Sequence, residues 1–225
     1  MIDAFTHVMG HYRRRGYAKL LYKPLPHAYA RVPAQDDLYA CFRLGALRVR
    51  CDLSCAIDLR ASRAPSERRR RGLKRALKFV TLASGRELLA GLWDVLAGNL
   101  EREYHAQPIH SLAELTVLLE RFSDNIQLHC AMIDGRVEAG IVLFTSANVW
   151  HAQYIASSEK GYAVSALDAV FAAAIAEARQ SSVRYFDFGT SNENNGLVLN
   201  EGLYRFKSEF GGGGVVHESY ELVLP

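Results

Sequence analysis

This sequence predicts an α/β fold in which helices flank a mixed, mostly antiparallel sheet, and three observations carry that expectation. Apolar residues recur at helical spacing over residues 85–104 and again over 164–178. Two apolar runs meet at Asp134-Gly135, a strong short-range hairpin signal. A strand expected at 150–155, a long helical pattern and a buried strand at 184–189 follow in the order of a β-α-β crossover, which makes those two strands parallel.

The elements follow in order. Residues 1–15 predict a helix from the spacing of Phe5, Val8, Met9 and Tyr12, stopped at Arg13-Arg14-Arg15-Gly16. Residues 19–23 read as a short strand, ended by Pro24 and Pro26, which lack an amide donor and fix φ. A short helix is expected over 36–44 with Asp36 as its cap, then a long strand or two over 46–59. Pro65-Ser66-Glu67 opens a helix running to about residue 78, whose Arg68, Arg69, Arg70, Arg71, Lys74 and Arg75 read as a solvated face or as a surface for phosphates. Leu88, Leu92, Val95, Leu96 and Leu100 line the next helix, and Ser111-Leu112-Ala113-Glu114 is a capping box that starts another. Strands are expected at 126–132 and from 137 onward, with Asn148 as a turn. Val164, Leu167, Phe171, Ala174, Ile175 and Ala178 form the stripe of the long helix. Residues 211–214, all glycine, let the chain reverse into a last strand at 215–222.

Composition narrows the function. With 225 residues, 49% of them apolar, the chain buries a sizeable core. The balance of 27 Lys plus Arg against 24 Asp plus Glu argues against a dedicated nucleic-acid binder. No apolar run approaches the ~20 residues that cross a bilayer, so membrane insertion is not expected. The first residues lack the pattern of a secretory leader, and a soluble, cytoplasmic protein with reduced thiols is the expectation. Cys41, Cys51, Cys55 and Cys130 match no paired zinc-knuckle spacing, and no metal is expected.

Near the C-terminus, Phe186-Asp187-Phe188-Gly189-Thr190-Ser191 is followed by Asn200-Glu201-Gly202-Leu203-Tyr204-Arg205-Phe206-Lys207-Ser208-Glu209-Phe210-Gly211-Gly212. This resembles the FDFG-S and FK-x-x-FGG signatures of the Fem-type branch of the GNAT superfamily, which groups non-ribosomal aminoacyltransferases with acetyltransferase-like relatives near polysaccharide and cell-wall pathways. Gln153-Tyr154-Ile155-Ala156-Ser157 and Pro108-Ile109-His110 fit those relatives too. The resemblance implies a GNAT-like acyltransferase domain at 63–225. It also implies that 1–62 is part of a second such domain, with another copy of the chain as the candidate to complete the acceptor cleft. The implied reaction moves an acyl group from a thioester donor, acetyl-CoA or another acyl-CoA, to an amine of an amino sugar or cell-envelope precursor. Two alternatives stand beside it. One is an aminoacyl-tRNA donor, disfavoured because residues 61–112 lack sustained heptads; the other is a non-catalytic relative that serves as a subunit.

For the chemistry, the resemblance puts Lys207, which follows Phe206, at the donor end, where its charge would face a developing oxyanion. The plain alternative is a surface lysine on an amphipathic helix. His151, Asp187 and His110 are the groups suited to take the proton of the attacking amine, and each is equally at home as a structural hydrogen-bonding residue. Ser158, Lys160, Gly161, Tyr162 and Ser165 lead into a helix whose first amides suit a donor's pyrophosphate. They read equally as a simple turn in which Gly161 permits an unusual φ and Ser158 or Ser165 caps the helix. His105 and His110 flank Pro108 as candidates for the acceptor. Ser191, Asn192, Glu193, Asn194, Asn195 and Asn200 form a polar loop of the kind that binds substrates. The resemblance adds weight at Asn200 and Glu201, and Glu201 is alternatively the cap of the helix carrying Lys207.

Overall fold

The computed structural model describes residues 1–61, 63–104 and 107–224. In chain order the elements are α1 (Ile2–Arg14), β1 (Lys19–Tyr22), α2 (Asp36–Arg43), β2 (Leu47–Asp58), α3 (Glu67–Ala76), β3 (Thr81–Ser84), α4 (Leu89–Tyr104), α5 (Leu112–Arg121), β4 (Ile126–Ile133), β5 (Arg136–Thr145), β6 (Val149–Ser157), α6 (Glu159–Val164), α7 (Ala166–Gln180), β7 (Tyr185–Thr190), β8 (Asn192–Glu193), β9 (Val198–Leu199), α8 (Glu201–Ser208) and β10 (Gly213–Val223). They form two units, each assembled from separated stretches of chain. One unit comprises Met1–Ala56, Thr190–Ser208 and Gly213–Pro225, and the other Ile57–Gly189 and Glu209–Gly212. Among the described residues no helix is long and apolar enough to cross a membrane, and no cluster of His, Cys, Asp and Glu suits a metal ion.

In the first unit β10 lies between β1 and β2 and runs antiparallel to both, with Lys19 opposite Val223 and Gly213 opposite Ala56. Phe5 and Met9 of α1, Ala40 and Cys41 of α2, and Leu222 and Leu224 close its core. Val8 and Tyr12, expected on the same stripe, are instead exposed, and it is Ile2 that packs beside Phe5 and Met9. Asp36 does not cap α2. The cap position is Gln35, without a side-chain bond, and it is Asp37 that works locally, accepting from the Leu38 amide and from the Tyr22 hydroxyl at 2.6 Å.

In the second unit the strand order is β7-β6-β5-β4-β3. β6 and β7 are parallel, joined by the expected crossover through α7. Asp134 (φ 50°) and Gly135 (φ 75°) supply the two left-handed positions of the β4–β5 turn. Leu92, Trp93 and Leu96 of α4, with Leu115 and Leu119 of α5, pack on Ile126, Leu128, Cys130, Val142 and Tyr154 of the sheet. Side chains alternate across a strand, so the neighbouring positions face the other way, towards α7. There Phe171 sits 4.9 Å from Phe188 and 5.2 Å from Phe210, ring centre to ring centre.

The basic run of α3 departs from the solvated face expected of it. Ser66 caps the helix, accepting from the Arg69 amide at 3.2 Å, and Arg69 itself is buried. Its guanidinium pairs with Asp168 of α7 and with Glu209, each at 3.0 Å, and lies 5.6 Å from the Phe210 ring centre. The Ser66 amide donates to the Glu209 carbonyl at 2.7 Å, and Arg63 donates to the Gly212 carbonyl at 2.9 Å. Gly72 allows this approach, since a Cβ there would stand 2.6 Å from an Asp168 oxygen. Arg68, Arg70, Arg71, Lys74 and Arg75 remain exposed.

Burial raises the Asp168 carboxyl to about 6, outweighing the lowering by Arg69 and Arg68. A carboxyl raised on folding contributes stability below its unfolded pKa and loses it as pH rises through the folded one. The stability of the parent protein relative to Asp168→Asn is therefore expected to increase as pH falls from 7 towards 4, measured by urea unfolding at each pH. Arg69→Ala strands the buried Asp168 carboxylate and the half-buried one of Glu209, and is expected to cost about 3–5 kcal/mol in the same measurement at pH 7.

Candidate functional site

β6 carries the candidate site because of an irregularity in its pairing. Val142 lies opposite Tyr154 but Leu143 lies opposite Ala152, so Gln153 is an extra residue in β6. Such a bulge re-aims the side chains beyond it. Strict alternation would put His151 and Tyr154 on opposite faces; with Gln153 bulged out they share one. His151 is the last β6 residue paired with β7, opposite Asp187.

His151 Nδ1 lies 2.9 Å from Asp187 Oδ2, with the imidazole 23% exposed and the carboxylate 2%. The second oxygen of Asp187 accepts from the Gly189 amide at 3.0 Å. Phe186 and Phe188 point into the α7 core, so Asp187 faces the opposite way, as strand alternation requires. Gly189 has φ 75°, and a Cβ there would stand 3.3 Å from His151 Cε1. A buried carboxylate that fixes the ring of a partly accessible histidine is the arrangement of a general base with its orienting group.

The Ser158–Ser165 segment is a short helix of its own rather than the entrance to a long one. Ser158 caps α6 by accepting from the Gly161 amide at 3.1 Å, and its hydroxyl donates to the Glu138 carboxylate. Ser165, with φ 63°, separates α6 from α7 and makes no side-chain cap. Gly161 is required for close approach rather than for its φ, since a Cβ would meet the Glu138 carbonyl oxygen at 2.4 Å. Lys160 and Tyr162 are exposed. Glu138, itself the extra residue of a β5 bulge, and Glu159 bring negative charge to the helix end expected to take an anion.

In the first unit Lys207 is 3% exposed, and its ammonium donates to the Thr190 carbonyl at 2.7 Å, so it is not the surface lysine of the plain reading. Asn200, not Glu201, caps α8, accepting from the Leu203 amide at 2.9 Å, and Glu201 is exposed. Phe206 is half-buried. The expected polar loop is a small hairpin of β8 and β9 tied to β2: Asn192 accepts from the Leu53 amide at 2.6 Å, and the Ser191 amide donates to the Leu53 carbonyl at 3.0 Å. Ser191 is buried, and its hydroxyl has no hydrogen-bond partner among the described residues.

His110, in the second unit, bonds to the Tyr154 hydroxyl beside an open cavity of about 350 Å³ lined by Glu114, Val117, Arg121 and Phe122. His105 lies outside the described residues. Sequence reasoning missed Tyr154 as a residue of this face, because only the bulge places it beside His151. It also missed Arg69, although Arg69, Leu73 and Ala76 recur at helical spacing and so mark an inward stripe within the basic run.

A family model described as an acetyltransferase (GNAT) domain matches residues 60–208. No curated protein matches the sequence. Among solved structures the chain is similar to FemX, with a TM-score of 0.73 at 11% identity, covering 99% of this chain and 77% of that one. The C-terminal domain of a putative lysylphosphatidylglycerol synthetase from Agrobacterium fabrum gives 0.68 at 14% identity, covering 96% and 71%. A tandem GNAT protein from the clavulanic acid biosynthesis pathway gives 0.55 at 9% identity, covering 98% and 69%. At these identities the likeness is one of fold.

Gly189→Ala forces a side chain into the left-handed region and against the His151 ring. It is expected to cost about 1–2 kcal/mol in denaturant unfolding and to disturb the imidazole signals of His151 in NMR spectra.

Proposed function

The chain belongs to the acetyltransferase (GNAT) family, and on that premise we propose that it transfers an acyl group from a thioester donor, an acyl-CoA, to the amine of an amino sugar or cell-envelope precursor. The His151–Asp187 pair is the observation that carries this reading. The amine nitrogen attacks the thioester carbonyl, His151 accepts the proton that nitrogen loses, and Asp187 stabilises the imidazolium that forms. The tetrahedral intermediate collapses as the carbon–sulfur bond breaks, and the thiolate leaves to be protonated. Lys207 is assigned the cationic role towards the oxyanion, as the family resemblance implies.

A second reading, an aminoacyl-tRNA donor, is favoured by two observations. Glu138 and Glu159 crowd the helix end that a pyrophosphate would use, and α3 exposes Arg68, Arg70, Arg71, Lys74 and Arg75. FemX and the putative lysylphosphatidylglycerol synthetase domain add their likeness of fold.

Coenzyme A at a hundred times its dissociation constant is expected to stabilise the protein by about 2.7 kcal/mol, read as a rise in melting temperature. Binding of tRNA that weakens steeply with salt, without any response to coenzyme A, selects the second reading. A response to neither, in calorimetry with acyl-CoA and a panel of amino-sugar nucleotides, identifies a non-catalytic member of the family. With the productive pair in hand, His151→Gln is expected to lower kcat by about a hundredfold or more, and Lys207→Met by a similar factor. Unchanged turnover in either variant removes that residue from the mechanism.

A further inference from the structure

β4 carries a second polar constellation, on the side of the sheet facing α7 and near the outermost strand, β3. A cavity of about 290 Å³ there has Ser84, Arg86, Ser123, Gln127, His129 and Glu177 in its wall. Gln127 and His129 are two residues apart on one strand and so point the same way. His129 is 6% exposed, yet its Nε2 has no hydrogen-bond partner among the described residues, and the same holds for Gln127 Oε1. A fold that leaves two buried polar atoms unsatisfied on one cavity wall bears a cost for each, which a molecule entering the cavity would remove. β5 separates this strand from β6 and the His151–Asp187 pair.

The chemistry of the wall is specific. His129 Nδ1 lies 3.3 Å from the Ser84 hydroxyl and 3.9 Å from a Glu177 carboxylate oxygen. A lone pair on Nδ1 would be repelled by that carboxylate, so the proton belongs on Nδ1 and Nε2 presents a lone pair. Burial lowers the imidazole pKa, outweighing the raising by Glu177. Gln127 Oε1 is a second acceptor and Glu177 a third, anionic one. Three acceptors carrying net negative charge call for a cationic donor with several N–H bonds, which describes an ammonium group. Arg86 in the same wall supplies the opposite preference, for a carboxylate.

We propose that this cavity is a binding site for a free α-amino acid, separate from the transfer site, with the ammonium held by Gln127, His129 and Glu177 and the carboxylate by Arg86.

Calorimetric titration of the full chain tests it, with glycine, L-alanine and L-lysine as amino acids, methylammonium as an amine without a carboxylate, and acetate as a carboxylate without an amine. At least one amino acid is expected to bind, more tightly than methylammonium and far more tightly than acetate. Gln127→Leu and Arg86→Gln are each expected to weaken it by about tenfold or more. Arg86 is exposed, so that variant tests the assignment even if the β4 variant folds poorly. His151→Gln is expected to leave the affinity unchanged. Absence of heat with all three amino acids overturns the proposal. So does acetate binding as tightly as they do, affinity unmoved by Arg86→Gln, or affinity lost in His151→Gln.

Discussion

Arg69 brings a permanent charge into a place that water hardly reaches, and the second unit is arranged around satisfying it. A guanidinium cannot shed its proton, so its burial requires carboxylates at hydrogen-bonding distance. Asp168 and Glu209 meet that requirement from α7 and from the segment after α8. The pairing fixes three things together: the seat of α3 on α7, the position of Phe210 in the aromatic cluster, and the run of residues 209–212 along residues 63–66. Those segments are far apart in sequence, so one cation does the work of a long-range staple. The same carboxylates would be costly without it.

The sheet positions chemistry through its defects rather than its regularity. Two bulges, at Gln153 and at Glu138, are each a single surplus residue. The first puts His151, paired with Asp187 across β7, on the same face as Tyr154. The second releases Glu138 from the ladder so that it holds Ser158 through both its carbonyl and its carboxylate. Neither arrangement survives in an ideally alternating strand.

This explains what could be read from the residues alone. Elements set by local periodicity or local capping were legible: the α5 capping box forms as its Ser111 and Glu114 predict, the Asp134-Gly135 turn falls where two apolar runs meet, and the crossover through α7 makes β6 and β7 a parallel pair. β3 was not legible, because Thr81-Leu82-Ala83-Ser84 is too short and too mildly apolar to show a pattern until β4 pairs with it. Arg69 was hidden among like charges, since composition reports a basic run and only a partner far along the chain says which member turns inward. The His151–Asp187 pair was half legible. Both residues stood out by type, but their meeting depends on the register of β6 against β7, and a register is a property of pairing, not of one strand's sequence.

The middle strand of the first unit is made long after its two neighbours. During synthesis on the ribosome, β1 and β2 emerge early and must wait, their inner edges unpaired, until β10 arrives to lie between them. The second unit lacks only residues 209–212 by comparison, so its sheet is ready to form while the first unit's is still open. Nascent chains of this protein therefore carry two exposed strand edges from the synthesis of β2 until that of β10, and holding those edges apart from other chains falls to whatever chaperones meet the growing polypeptide.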